Sequence, residues 1–300
     1  MNRSSLGVLL VLLSAACYGV MSIFAVYAYQ DGATVLGLLT IRFALAAVLF
    51  FLYILGKRVQ LQITLRQVLS LFVLGGVFYT VMSYTFFTAV QYISPSLAAL
   101  ILYSYPVFVA LLSALIDKER LTRRILLSIG LALLGLVLVL GTSFDNVSPL
   151  GVLLAIVAAL VYSFYIVLSN RVVKSVPLVV TSAFITLFAA ISFAVISLGM
   201  HQLQFDFGSK AWLAIGGIIL FPTMIAMSTF FYGLRIIGST RASILSMVEP
   251  LVTITASALL FDDSLTVAQW FGGGAVLLGA LLVVLAREQK QLEGRSKRTA

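Results

Sequence analysis

Of 300 residues, 62% are apolar and 10% charged, with 19 basic against 10 acidic side chains and a net charge of +9. Ordinary soluble domains carry roughly 25% charged residues, so this chain lacks the polar surface that a soluble fold of its size needs. One cysteine, Cys17, excludes an internal disulfide, and one histidine, His201, argues against a histidine-based metal site.

The apolar residues fall in runs of about 20, the helix length that crosses a ~30 Å hydrocarbon core. They are continuous rather than alternating, which argues against a membrane barrel. In chain order the runs predict ten spans, near residues 6–28, 34–55, 67–90, 95–116, 124–141, 149–169, 178–199, 210–233, 240–261 and 265–286. The fold class expected is all-α integral membrane. The first run follows Arg3, and Leu13-Ser14-Ala15-Ala16-Cys17 has the look of a lipoprotein cleavage site. The run continues to about Ala28, too long for a signal-peptide core, so a full helix is expected there.

Charge between the spans sets the expected orientation. With the N-terminus inside, the inner loops carry Lys57, Arg58, Arg66, Lys118, Arg120, Arg123, Arg124, Arg171, Lys174, Arg235 and Arg241. The tail from Arg287 is also basic. The outer loops hold Lys210 with Asp31, Asp145, Asp206, Asp262 and Asp263. Lys/Arg bias across short loops determines topology, so both termini are expected to be cytoplasmic. The net positive charge then reads as an orientation signal, with no nucleic-acid partner, and the short basic tail as an orientation signal or a lipid-headgroup contact.

Sliding the chain against itself by 144 residues aligns its halves without a gap. Leu6-Gly7-Val8-Leu9-Leu10 falls on Leu150-Gly151-Val152-Leu153-Leu154, Tyr18 on Tyr162, and Thr85-Phe86-Phe87 on Thr229-Phe230-Phe231. Pro106 falls on Pro250, Ser113-Ala114-Leu115 on Ser257-Ala258-Leu259, and Leu121-Thr122 on Leu265-Thr266. Leu133-Leu134-Gly135 falls on Leu277-Leu278-Gly279. The expected organisation is a five-helix repeat over 1–144, a second over 145–288, and a basic tail over 289–300. Five is odd, so the second repeat enters the membrane from the opposite side. Inverted repeats recur in secondary transporters, where rocking about their interface opens a midplane site alternately to each face.

With this repeat in place, Ile41-Arg42-Phe43 in the second span and the mid-span Tyr105-Pro106 and Glu249-Pro250 form a recognisable set. So do Glu119-Arg120-Leu121 leading into Gly130, and Asp263-Ser264-Leu265 leading into Gly274. From about Leu6 to Arg287 the chain resembles the EamA-type exporters of the drug/metabolite transporter superfamily. The resemblance implies a central cavity lined by spans one, three, four, six, eight and nine. It also implies export of amino acids or other small metabolites across a bacterial cytoplasmic (inner) membrane. Membrane lipids and a small-molecule substrate are the expected partners, with a second copy of the chain in a homodimer and no cofactor.

Arg42 and Glu249 are the ionisable residues inside the spans. A charge at the bilayer centre costs at least ~2.5–3.5 kcal/mol and usually faces a cavity or a partner. Arg42 is expected roughly 12 Å below one end of its span and Glu249 roughly 14 Å from the opposite face, at 1.5 Å per residue, so the two could meet. Glu249 reads as a proton-coupling or cation-binding group, or alternatively as the partner of Arg42 or a neutral carboxyl hydrogen-bonded to a helix. Arg42 reads as a substrate contact, or as an anchor to backbone carbonyls, or as a side chain snorkelling to the interface. Neither charge is repeated: Thr186 stands opposite Arg42, and Tyr105 opposite Glu249.

Pro106 and Pro250 remove a backbone donor at mid-span and are expected to act as paired hinges. Ser243, Ser246, Glu249, Thr253 and Ser257 share one helix face, as do Thr80, Tyr84, Phe87 and Gln91. With Tyr18, Tyr103, Tyr162 and Tyr165 they suggest a cavity that stacks on and hydrogen-bonds a small polar molecule, or else hydrogen bonding within a packed bundle. Gly130, Gly135, Gly272, Gly273, Gly274 and Gly279 suggest close helix packing. No nucleotide-binding Gly-x-x-x-x-Gly-Lys motif occurs, and one membrane carboxylate does not make a catalytic constellation. A transporter is therefore expected rather than an enzyme, with a passive channel, a sensory protein, or a carrier of nucleosides or amine drugs as the other readings.

Overall fold

The structure, a computed structural model, describes residues 3–89, 92–93, 95–119, 121–141, 148–201, 205–261 and 266–299. Gln91, Arg120, Asp145, Asp262, Asp263, Ser264 and Leu265, singled out in the sequence, lie outside them.

Ten helices run back and forth in one bundle. In chain order, α1 is Arg3–Gly19 with Met21–Gln30, and α2 is Val35–Gly56. Next, α3 is Leu65–Phe72, Val73–Tyr79 and Thr80–Ala89, α4 is Pro95–Leu102 with Tyr105–Ile116, and α5 is Arg123–Leu140. In the second half, α6 is Pro149–Ser175, α7 is Leu178–Gly199, and α8 is Ser209–Ile218, Ile219–Ile225 and Ala226–Ile237. Then α9 is Ser239–Ser246 with Glu249–Phe261, and α10 is Val267–Thr299. Among the described residues, nine helices are long and apolar enough to cross a membrane, and the tenth has a shorter apolar stretch, Val267–Val283. Helix α6 outruns its expected end at residue 169, continuing through Asn170, Arg171 and Lys174. Intrahelical bonds let a helix carry polar residues into the headgroup layer, where hydropathy no longer marks it.

Local chemistry starts these helices. Thr34, Thr64 and Thr122 each accept a hydrogen bond from the backbone N–H three residues on. Gln67 returns the bond to Thr64, and Gln269 to Thr266, so α3 and α10 open on reciprocal caps.

Packing follows the duplication. Helices α2 and α7 pack together, as do α5 and α10, while α1 against α8 mirrors α6 against α3. A Cβ on Gly7 would meet Ile237, and one on Gly151 would meet Ile93; both members of the second pair are 144 residues from a member of the first. Likewise Gly135 lies on the carbonyl of Gly272, and Gly279 on that of Ser128. Hydrocarbon gives helices no hydrophobic reason to associate, so close backbone approach at small residues holds them together. Of the six glycines read as packing glycines, Gly130 and Gly274 have open space beside them and Gly273 meets only ordinary contact. A glycine pattern in sequence does not say which side of its helix faces a neighbour.

The largest departure from regular helices lies at mid-membrane. Rather than kinking one continuous helix, Pro106 and Pro250 each sit in the first turn of a second half-helix, where no N–H is needed. The breaks are the same at both places. Ser104 N–H donates to Ile101 O and Val107 N–H to Ser104 O. Val248 N–H donates to Leu245 O and Leu251 N–H to Val248 O, 144 residues on. Helices α3 and α8 are wound as π-helix over Val73–Tyr79 and Ile219–Ile225.

Gly135→Val would drive two methyl groups against the α10 backbone, where a Cβ already lies 2.5 Å from Gly272 O. Overpacking of this kind costs ~1–3 kcal/mol. A thermal-unfolding midpoint in detergent should fall by several degrees for Gly135→Val and stay unchanged for Gly130→Val.

Candidate functional site

A cavity of about 700 Å³ lies among α1, α2, α3, α4, α6, α8 and α9, with the end of α5 at its rim. Its floor is at the helix breaks. Its mouth, at the face opposite the N-terminus, is bordered by Tyr29 at the end of α1, Leu38 at the start of α2 and Leu140 at the end of α5. Towards the N-terminal face the bundle is sealed where the second half of α4 packs on the first half of α9. Ser113 Oγ and Ser239 Oγ are 2.7 Å apart, Tyr105 Oη donates to Ser243 O at 3.2 Å, and Thr240 Oγ1 donates to Glu119 Oε2 at 2.6 Å. The outer half-helices, Pro95–Leu102 and Glu249–Phe261, make no comparable packing contact, and the cavity lies between them.

The breaks aim side chains into the cavity. Glu249 is the first residue of its half-helix, its carboxyl in a side-chain hydrogen bond with Tyr103, the residue just before the α4 break. A helix N-terminus favours a negative group at that point. Thr253, one turn on, donates to Gly19 O at 2.8 Å and ties α9 to the interruption in α1. From Glu249 a run of rings crosses the floor. Tyr105 lies edge-on to Tyr162 at 4.8 Å between centroids, Tyr162 stacks on Tyr165 at 5.9 Å, and Tyr165 meets Tyr79 at 5.7 Å. Tyr79 meets Phe43 at 5.2 Å, and the Arg42 guanidinium sits 4.8 Å over the Phe43 ring.

Arg42 is 2% exposed. Its Nε donates to Thr223 Oγ1 at 2.7 Å and its Nη1 contacts Met21 Sδ at 3.0 Å. Thr223 lies in the π-helical segment of α8 and passes its own proton to Ile218 O, five residues back. The winding of α8 thus presents an acceptor to Arg42. The direct pairing of Arg42 with Glu249 that their depths allowed does not form, the ion pair among the described residues being Arg171–Asp117. The two charges face one cavity with the tyrosine rings between them.

Of the residues marked in sequence, the cavity gathers Tyr18, Arg42, Tyr103, Tyr162, Tyr165, Glu249, Pro250 and Thr253. It does not gather four others. Ser246 is buried and bonds Ala242 O, and Pro106 is buried in its half-helix. Thr80 closes on Gly75 O within the π segment of α3, and Tyr84 is 47% exposed away from the cavity. The face that α3 turns to the cavity is instead Tyr79, Met82, Ser83 and Phe86. One residue of offset is a 100° turn of the helix, and the π winding below Thr80 resets the face in a way that regular periodicity does not contain. Met21, Met82 and Met227 also line the wall, unmarked by the sequence pattern. Their apolar character hides them among core residues, and no spacing signal marks them.

Comparison with known proteins agrees with this architecture. The model of the EamA-like transporter family matches twice, over residues 5–141 and 149–285. An uncharacterized transporter of Archaeoglobus fulgidus is 32% identical over 272 residues, covering 91% of this chain and 94% of that one. The uncharacterized transporter YcbK of Bacillus subtilis is 25% identical over 99% of this chain and 97% of its own. The uncharacterized inner membrane transporter YedA of Escherichia coli K12 is 24% identical over 82% of this chain and 80% of its own. One solved crystal structure superposes with a TM-score of 0.83 over 95% of this chain and 100% of that one, at 21% identity, a likeness of fold. With two matched halves, ten helices and a cavity at their shared breaks, the chain belongs to the EamA-like transporter family of the drug/metabolite transporter superfamily and is a multi-pass membrane transporter, not an enzyme.

Proposed function

We propose that this transporter is a secondary carrier that exports amino acids and closely related small metabolites by alternating access. It would work in a bacterial cytoplasmic membrane with both termini in the cytoplasm. The observation that carries the reading is a cavity open to one face and sealed at the other by the half-helices of α4 and α9. A passive channel needs a continuous path, whereas a carrier needs one gate closed at a time. With Lys and Arg concentrated in the loops on the N-terminal side, the sealed face is cytoplasmic and the cavity faces outward.

The lining supports a zwitterion. Arg42 supplies a cation with donors left over after Thr223 and Met21 are satisfied. Glu249 supplies an anion across the floor. A substrate carboxylate on Arg42 and an ammonium on Glu249 and Tyr103 would leave the side chain against the tyrosine and methionine walls. A volume of about 700 Å³ accommodates even a large aromatic amino acid.

Three outcomes are expected. Liposomes bearing the purified protein should take up or release labelled amino acids against a concentration gradient when a pH gradient is imposed; flux that only equilibrates would make the protein a facilitator. Arg42→Met should raise KM about tenfold to a hundredfold, the loss of a charged hydrogen bond worth ~1.5–3 kcal/mol; an unchanged KM would remove Arg42 from the substrate. A membrane-impermeant thiol reagent should label, in whole cells, a cysteine placed at Asp206 but not one at Lys57. The reverse pattern would invert the topology.

A further inference from the structure

Two inverted halves of one fold exchange conformations when the cavity changes face. Each contact that seals one face therefore has a counterpart, 144 residues away, available to seal the other. At the sealed face, Tyr105 Oη donates to Ser243 O. Adding 144 to Tyr105 gives Glu249, and subtracting it from Ser243 gives Ala99. Both counterparts line the open cavity, on the half-helices that stand apart there.

The surroundings of Tyr105 and Glu249 match as the numbering does. Each is the first residue after its break, with the same pattern of backbone hydrogen bonds on either side. Ser163 of α6 donates to Tyr105 O at 3.1 Å. Its counterpart in α1, Gly19, lies so close to Glu249 O that a Cβ there would be 2.8 Å away. The backbone is thus prepared for the same latch at both faces, but the side chains differ in one chemical respect. A phenol carries a proton to donate to a carbonyl. A carboxylate has none, and set against the Ala99 carbonyl it places two acceptors face to face.

We propose that protonation of Glu249 is what closes the mouth: the neutral carboxyl donates to Ala99 O, as Tyr105 donates to Ser243 O at the sealed face, and the ionised carboxyl holds the mouth open. The proposal rests on alternating access as read above. The groups that face Glu249 are Arg42 from α2, Tyr18 from α1, Tyr103 and Tyr105 from α4, and Tyr162 from α6. Guanidinium groups stay protonated and free tyrosine ionises only near pH ~10, which leaves the Glu249 carboxyl as the group here able to take up and release a proton. A substrate ammonium seated between Glu249 and Ala99 O would supply the same missing donors. Proton and amine then compete for one carboxyl, and the empty, ionised carrier cannot close. Such a carrier exchanges substrate for a proton.

The test is a distance across the mouth. Spin labels replace Tyr92, ahead of α4, and Leu260, at the end of α9, both exposed, in a Cys17→Ser background reconstituted in phospholipid nanodiscs without substrate. Between about pH 9 and about pH 5, the span in which buried carboxyls titrate, the wild type should gain a short-distance population. Glu249→Gln, whose amide always carries donors, should show that population at every pH. Tyr105→Phe, which weakens the opposite latch, should raise it about fivefold, the equivalent of one hydrogen bond of ~1 kcal/mol. Two populations whose ratio ignores pH in the wild type, or follows pH equally in Glu249→Gln, would overturn the Glu249 latch and leave alternating access standing. A single unchanging distance in all three proteins would overturn alternating access itself.

Discussion

Hydrocarbon offers no hydrogen bonds, so a membrane helix interrupted at mid-span must satisfy its broken ends within the protein or around a water-filled cavity. This chain interrupts α4 and α9 at the same internal position, and the rest of the architecture depends on those two breaks. Short i→i+3 bonds absorb part of the unpaired backbone, and a proline in the following turn has no N–H to satisfy. The break residues, Tyr103 and Tyr105 on one side and Glu249 on the other, then point at a common space that no continuous helix would leave. The cavity is therefore a consequence of how the backbone is satisfied as much as of which side chains line it.

The two π-helical segments do related work. In α8 the segment frees Ile218 O for Thr223, and Thr223 in turn holds the Arg42 guanidinium. In α3 the same device satisfies Thr80 internally and turns Tyr79 and Ser83 to the cavity. A wide helical turn weakens its own ladder, so π segments persist where a side chain or a ligand makes use of the groups they release. Here one use is the anchoring of a buried cation whose exposure to lipid would cost several kcal/mol.

Symmetry and asymmetry are divided between backbone and side chain. Glycine contacts, helix breaks and cap threonines repeat at one offset, so both halves share one backbone plan. Polar groups do not repeat: Thr186, opposite Arg42, bonds its own helix at Ser182 O and Ala183 O. Under the alternating access proposed above, two states equivalent in charge as well as shape would give the protein no chemical means of distinguishing one face from the other. The unrepeated Arg42 and Glu249 provide one.

The amino-acid sequence by itself determined the helices, their number and their duplication. A hydrocarbon slab imposes one length on every span, and a gapless 144-residue repeat survives as rare residues in register, Pro106 with Pro250 and Tyr18 with Tyr162. It also marked Arg42 and Glu249, because a charge inside an apolar run is conspicuous wherever the run sits. It could not say that the two stand apart across a row of tyrosines, that Pro106 and Pro250 begin half-helices instead of bending whole ones, or that Thr80 and Tyr84 face away from the cavity. Those facts depend on helix rotation and on non-α winding. In a chain that is apolar on every face, both are set by the closest approach of neighbouring backbones, such as Gly135 on Gly272 and Gly19 on Glu249, which only the folded bundle brings together.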